Sequence, residues 1–187
     1  VDIGGGTTDI AVLTMNGGTV SGNTAKNAGG ILVQTSATMN MKGGKITGNK
    51  ATSGGAGLRL TGSETYLGNV IISDNVSDGS AGGVYVAREG SICSNVIIDG
   101  AQIVNNTAKT SGGGMWVYMN GNVVTMESGK VNGNRAADGG GICAQREVTV
   151  TINGGEICGN TTTANGGGYY ASIDSTFIMN GGLISGN

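Results

Sequence analysis

Glu147 and Asp174 stand 27 positions apart. If they occupy the same place on neighbouring turns of a regular fold, their carboxylates could approach to about 5 Å, the separation a retaining glycosidase uses for its acid and its nucleophile. Arg88 and Arg146 directly precede Glu89 and Glu147. A polar turn in which the arginines neutralise the acids accounts for the same residues without catalysis. A second candidate set is aromatic: Tyr85, Trp116, Tyr118 and Tyr170. Exposed rings offer flat apolar faces to sugars, and they also stack on one another along a sheet.

The rest of the composition removes most other chemistry. The chain has 187 residues, 39 of them glycine, and neither histidine nor proline. Without histidine there is no Ser-His-Asp triad, no Cys-His dyad and no imidazole ligand for zinc. Cys93, Cys143 and Cys158 are odd in number and lack C-x-x-C spacing, so neither a four-thiolate metal site nor a disulfide framework is expected. Asp74, Asp78, Asp99 and Asp138 fall at separate turns, without the clustering calcium needs. No metal and no cofactor are therefore expected. A net charge of -2 gives no field that favours nucleic acid. Apolar runs of only a few residues, such as Val70-Ile71-Ile72, leave nothing able to span a bilayer and no signal-peptide core.

Glycine at this density without proline means either low-complexity disorder or a repeating fold with glycine at fixed places, and the period decides between them. An apolar residue, two others and then asparagine recur seven times, ending at Asn23, Asn49, Asn75, Asn106, Asn134, Asn160 and Asn187. The intervals are 26, 26, 31, 28, 26 and 27 residues. A second apolar landmark precedes each motif: Met15, Met41, Leu67, Ile98, Met126, Ile152 and Met179. Glycine pairs or triplets ending at Gly6, Gly30, Gly83, Gly114, Gly141 and Gly168, and the interrupted run Gly54-Gly55-Ala56-Gly57, separate the copies. Between these landmarks lie short segments of period-2 alternation, such as Met115/Val117 and Val124/Met126.

This pattern predicts an all-β fold, a right-handed, single-stranded, three-sheet parallel β-helix with one repeat per coil. Seven coils at ~4.8 Å spacing would make a rod roughly 34 Å long. Residues 1–187 read as one repeat domain. A start at Val1 and a stop inside a motif suggest an excerpt of a longer chain, whose uncapped coil ends would invite edge pairing. The missing proline fits strands that all donate to a neighbouring coil. The seven asparagines are expected to be structural, stacked in a turn with their amides bonded between coils, and the glycines to supply positive φ. Two residues beyond each last turn glycine, an outward column should run through Leu32, Arg59, Tyr85, Trp116, Cys143 and Tyr170, with Tyr118 further along the strand of Trp116. Four positions on, a polar column reads Ser36, Ser63, Glu89, Asn120, Glu147 and Asp174. The longest coil carries an insertion around Glu89–Ser94.

The run of Ile/Val-x-x-Asn, Thr-Ala and Gly-Gly-Gly-apolar, as in Val20 to Ile31 and Ile103 to Met115, resembles the parallel β-helix repeats of bacterial surface proteins. These are adhesin-like proteins and autotransporter passengers, including the chlamydial polymorphic outer-membrane repeats with their F-x-x-N and G-G-A-I motifs. The chain has Val or Ile in place of that Phe and often Gly in place of that Ala. The resemblance implies a secreted or cell-surface bacterial rod with glycan or a host or cell-surface protein as partner. Tyr85, Trp116, Tyr118 and Tyr170 would then be the contact residues. The competing expectation is a polysaccharide lyase or glycoside hydrolase of pectate-lyase shape, with Glu147 and Asp174 as its acids; a passive spacer is a third. Val1 to Leu13, with Gly4-Gly5-Gly6-Thr7-Thr8, also resembles a phosphate loop of actin-like ATPases of the MreB and FtsA group. In the repeat register the same segment reads as one more coil.

Overall fold

A single repeat of this chain cannot bury its alternating Val, Ile, Leu and Met side chains, so repeats must stack to form a core. The computed structural model describes residues 11–187, and among them the chain forms an all-β parallel solenoid of about six turns. Every pairing between strands is parallel, and strands between the first and last described coils bond to their counterparts in the coils before and after. The glycine turn at Gly4–Gly6 and the glycine-threonine part of the phosphate-loop resemblance lie outside the described residues. Val12–Met15, at the end of that segment, is a strand that pairs with Thr38–Met41 in the repeat register.

Three hydrogen-bonded sheets run along the solenoid. The first is made of Ile31–Gln34, Leu58–Thr61, Val84–Ala87, Met115–Tyr118, Ile142–Gln145 and Tyr169–Ser172. The second holds two strands per coil, for example Thr38–Met41 and Lys45–Thr47. In the coils of Asn95–Val104 and Val123–Asn132 those two strands fuse into one ten-residue strand. The register shifts by a bulge where these long strands bend, next to Gly100 and Gly129, whose φ values of +90° and +115° carry the corner. The third sheet follows the asparagine, with strands such as Lys50–Gly54, Thr107–Ala108 and Arg135–Asp138. Each coil thus contains four strand segments, one more than the alternation of large apolar residues reveals.

The landmark Met15, Met41, Leu67, Ile98, Met126, Ile152 and Met179 forms one continuous column. Val20, Ile46, Ile72, Ile103, Val131, Ile157 and Ile184 mark another interior ladder, and the middle members of both are fully buried. In the third sheet the inward column is small, with Ala51, Ser77, Ala108 and Ala136 buried. That leaves room for the asparagines beside it.

The asparagines form a ladder along the solenoid. From Asn49 to Asn187, the side-chain oxygen of each accepts from both the backbone N–H and the Nδ2 of the asparagine one coil earlier, as Asn134 does from Asn106 at 2.9 and 3.1 Å. Its second amide proton goes to the carbonyl of an interior residue, as from Asn134 Nδ2 to Ile103 O at 2.9 Å. Asn49, Asn75, Asn106, Asn134 and Asn160 are wholly buried.

The turn glycines divide the work in a way the sequence does not announce. The first residue of each triplet is left-handed, with φ of +68° at Gly112. Alanine takes the same conformation at Ala28 and Ala81. The last glycine is not in the positive-φ region; it is required by space. A Cβ on Gly114 would stand 2.9 Å from both Asn134 Nδ2 and Val131 Cγ1. The bare glycine column therefore packs against the asparagine ladder and the aliphatic ladder at once.

Candidate functional site

The outer face of the first sheet carries the expected column in register. Leu32 pairs with Arg59, Arg59 with Tyr85, Tyr85 with Trp116, Trp116 with Cys143, and Cys143 with Tyr170. Alternation along each strand turns these side chains outward, because their neighbours, such as Met115 and Val117, are wholly buried in the core. Tyr118 occupies the next outward position on the strand of Trp116.

Three of the four aromatics come together. The Tyr85 and Trp116 rings lie 5.0 Å apart at 47°, and the Trp116 and Tyr118 rings 4.5 Å apart at 29°, a stack. With Ala81 and Ala87 they form a small apolar cluster outside the solenoid, separate from the main core. The indole N–H of Trp116 donates to Gln145 Oε1 at 3.0 Å, which fixes the plane of the ring. Guanidinium groups stand at both ends: Arg59 is 4.2 Å from the Tyr85 centroid, and Arg146 is 5.2 Å from that of Tyr118. Such cation–π contacts are worth about 0.5–1 kcal/mol at exposed sites.

Exposure is uneven within the set. Tyr85 is only 6% exposed although it points outward, because Arg59 and Trp116 cover it. Burial pushes its hydroxyl above the usual tyrosine value, against a smaller opposing effect of the Arg59 charge. Trp116 and Tyr118 are half-buried and present the accessible surface. Tyr170 is half-buried and lies two strands from Trp116, with buried Cys143 between them. Burial pushes the Cys143 thiol up to about 12. Nothing in the alternation of the sequence distinguishes this covered cysteine from its open neighbours.

Glu147 and Asp174 fall at matching places on adjacent coils: the backbone N–H of Glu147 donates to Ile173 O at 2.9 Å. They sit on the corner that leads from the first sheet to the second, in left-handed pairs with Arg146 and Ile173. Both are exposed, and among the described residues neither carboxylate takes part in an ion pair. Glu147 borders a shallow hollow formed with Met119, Asn120, Arg146 and Ile173. Arg146 turns to Tyr118, while Arg88 donates to Gly90 O and Asn120 Oδ1, both at 2.6 Å. The Glu89–Ser94 insertion folds back on itself through paired Glu89 and Ile92 backbone bonds.

On the second sheet a polar network escaped the sequence reading. Asp99 accepts from Tyr66 Oη at 2.9 Å and from Ser128 Oγ at 2.8 Å, and these two bonds hold its carboxyl below the usual range. No group of three or more metal-ligating side chains converges among the described residues, and no described helix is long and apolar enough to cross a membrane. No family model, no curated protein and no solved structure matches the chain.

Proposed function

We propose that the chain is an interaction module of a secreted or cell-surface bacterial protein, and that it contacts glycan through the outer face of its first sheet. The observation that carries this reading is the Trp116–Tyr118 stack, held 4.5 Å apart on a rigid parallel sheet. Its indole is fixed by Gln145. Apolar rings held half-open on an outer face suit the apolar faces of sugars, and their geometry is set before a ligand arrives. The solenoid supplies the rigidity, since the strand of Trp116 and Tyr118 bonds to a neighbour on both sides. The cell-surface setting rests on the likeness of the repeat to bacterial surface β-helices.

A glycan array comparing the chain with Trp116→Ala tests the proposal. The parent is expected to retain a subset of glycans that the variant loses, while both give the same circular dichroism spectrum. Binding by neither protein, or equal binding by both, overturns it.

A further inference from the structure

We infer that this face selects an acidic polysaccharide carrying carboxylates on more than one sugar residue, an inference that rests on the glycan reading above. The six strands of the first sheet contain no Asp or Glu. Three of the four arginines of the chain, Arg59, Arg88 and Arg146, lie on this sheet or on the turns that leave it, and none of its lysines does; Glu89, Glu147 and Asp174 stand on those same turns, off the strands. Arginine is suited to this place because its planar cation stacks on an aromatic face and keeps edge N–H groups for a carboxylate.

Arg59 and Arg146 have the stacking partner and lack the carboxylate. Their guanidinium groups lie against Tyr85 and Tyr118. The one ion pair among the described residues is Lys130 with Glu156, on another sheet. Glu147, although next to Arg146 in the chain, forms no ion pair with it. Two cations at the ends of an aromatic platform, neither of them held in an ion pair, leave their N–H groups for a ligand carboxylate.

The spacing selects a polymer over a single terminal acid. Arg59 lies in the strand Leu58–Thr61, and Arg146 directly follows Ile142–Gln145. Three strand-to-strand steps separate those strands, roughly 14 Å along the solenoid at the usual parallel spacing. That distance exceeds one sugar ring. A chain running along the column would place a ring on Trp116 and Tyr118, with carboxylates reaching the two arginines on either side.

The test measures binding of the intact chain to immobilised polygalacturonate, alginate and hyaluronan, each beside its carboxyl-reduced neutral counterpart, with a sialylated oligosaccharide as a single-acid control. Binding to at least one of the acidic polymers is expected, at least tenfold stronger than to its reduced form and weakened by added salt. The Arg59→Gln/Arg146→Gln double variant should lose that preference and keep the weaker binding to neutral polymer, whereas Trp116→Ala should lose both. Equal binding to acidic and reduced polymers overturns the charge selection and leaves the aromatic platform standing. So does preference for the sialylated control, or a preference that survives in the double variant. If the parent binds none of the acidic polymers but retains neutral glycans on the array, the acidic inference alone fails. If it binds no glycan at all, the underlying reading fails with it. Comparison of the two polymer forms on the parent needs no variant and is immune to misfolding.

Discussion

The side-chain oxygen of Asn106 accepts two hydrogen bonds from Asn75, one from its backbone N–H at 3.1 Å and one from its Nδ2 at 2.9 Å. Asn106 then donates to Ile72 O and Asn134 Oδ1, so one buried amide ties together three coils. Because every rung uses the same donors and acceptors, the chain needs asparagine there in each repeat. Neither aspartate, which lacks the donors, nor serine, which lacks the reach, satisfies the set.

Asn106→Ala takes the acceptor away from two buried donors, the Asn75 N–H and one proton of Asn75 Nδ2, and removes the bond to Asn134 Oδ1. At about 1–3 kcal/mol for each unsatisfied group, the variant should lose on the order of 3 kcal/mol or more. Asn23 is exposed and donates only to Asn49 Oδ1, so Asn23→Ala should lose about 1 kcal/mol or less. Urea unfolding followed by circular dichroism compares the two. Similar losses at both positions would show that the ladder does not carry the stability assigned to it.

The glycine columns predict two opposite responses to substitution. Gly48 has a φ of +65° and open space around its Cα. Asp74 and Asn105 adopt the same left-handed conformation just before their own ladder asparagines. Gly48→Asn should therefore change stability by no more than about 0.5 kcal/mol, since asparagine tolerates this region. Gly114→Ala keeps an allowed φ yet meets the carbonyl of Gly141 at 2.7 Å, and should cost about 1–3 kcal/mol as overpacking does. A Gly114→Ala variant as stable as the parent would remove the argument from close approach.

Much of this architecture was legible because parallel stacking repeats a position exactly one coil later. The column from Leu32 to Tyr170 followed from counting two residues past each glycine turn, and the pairing of Trp116 with Cys143 bears out the count. What escaped depends on features that alternation does not encode. The short strand Thr107–Ala108 buries only alanine, too small to register as a hydrophobic period. Gly114 is set by the space beside Asn134 and not by its own φ. Tyr85 is covered because Arg59 and Trp116 lean over it, a matter of side-chain placement between coils. The aromatic set therefore divides into a joined trio and a separate Tyr170, although Tyr85, Trp116 and Tyr170 share one sequence rule.

Cys143 offers a check on that covered face through its thiol. It is wholly buried, and burial raises its pKa from the ordinary 9.0 to about 12. In the fold the thiol keeps its proton where the unfolded chain would release it. The resulting stability is fully present below pH 9 and is lost as pH rises from about 9 to about 12. Buried Tyr85 and half-buried Tyr169 act in the same direction, but only above the ordinary tyrosine value of 10.0. Cys143→Ala should therefore flatten the stability curve between pH 9 and 10 while keeping the decline above it. Its lower baseline, reduced by the cavity it leaves, does not affect this shape. Iodoacetamide at pH 8 should modify the partly exposed Cys93 and Cys158 and spare Cys143 until the protein is denatured, as mass spectrometry of the peptides would show. Labelling of Cys143 in the native protein, or an unchanged slope between pH 9 and 10 in the variant, would mean that the aromatic face opens to water and that Trp116 and Tyr118 are not held in place before a ligand binds.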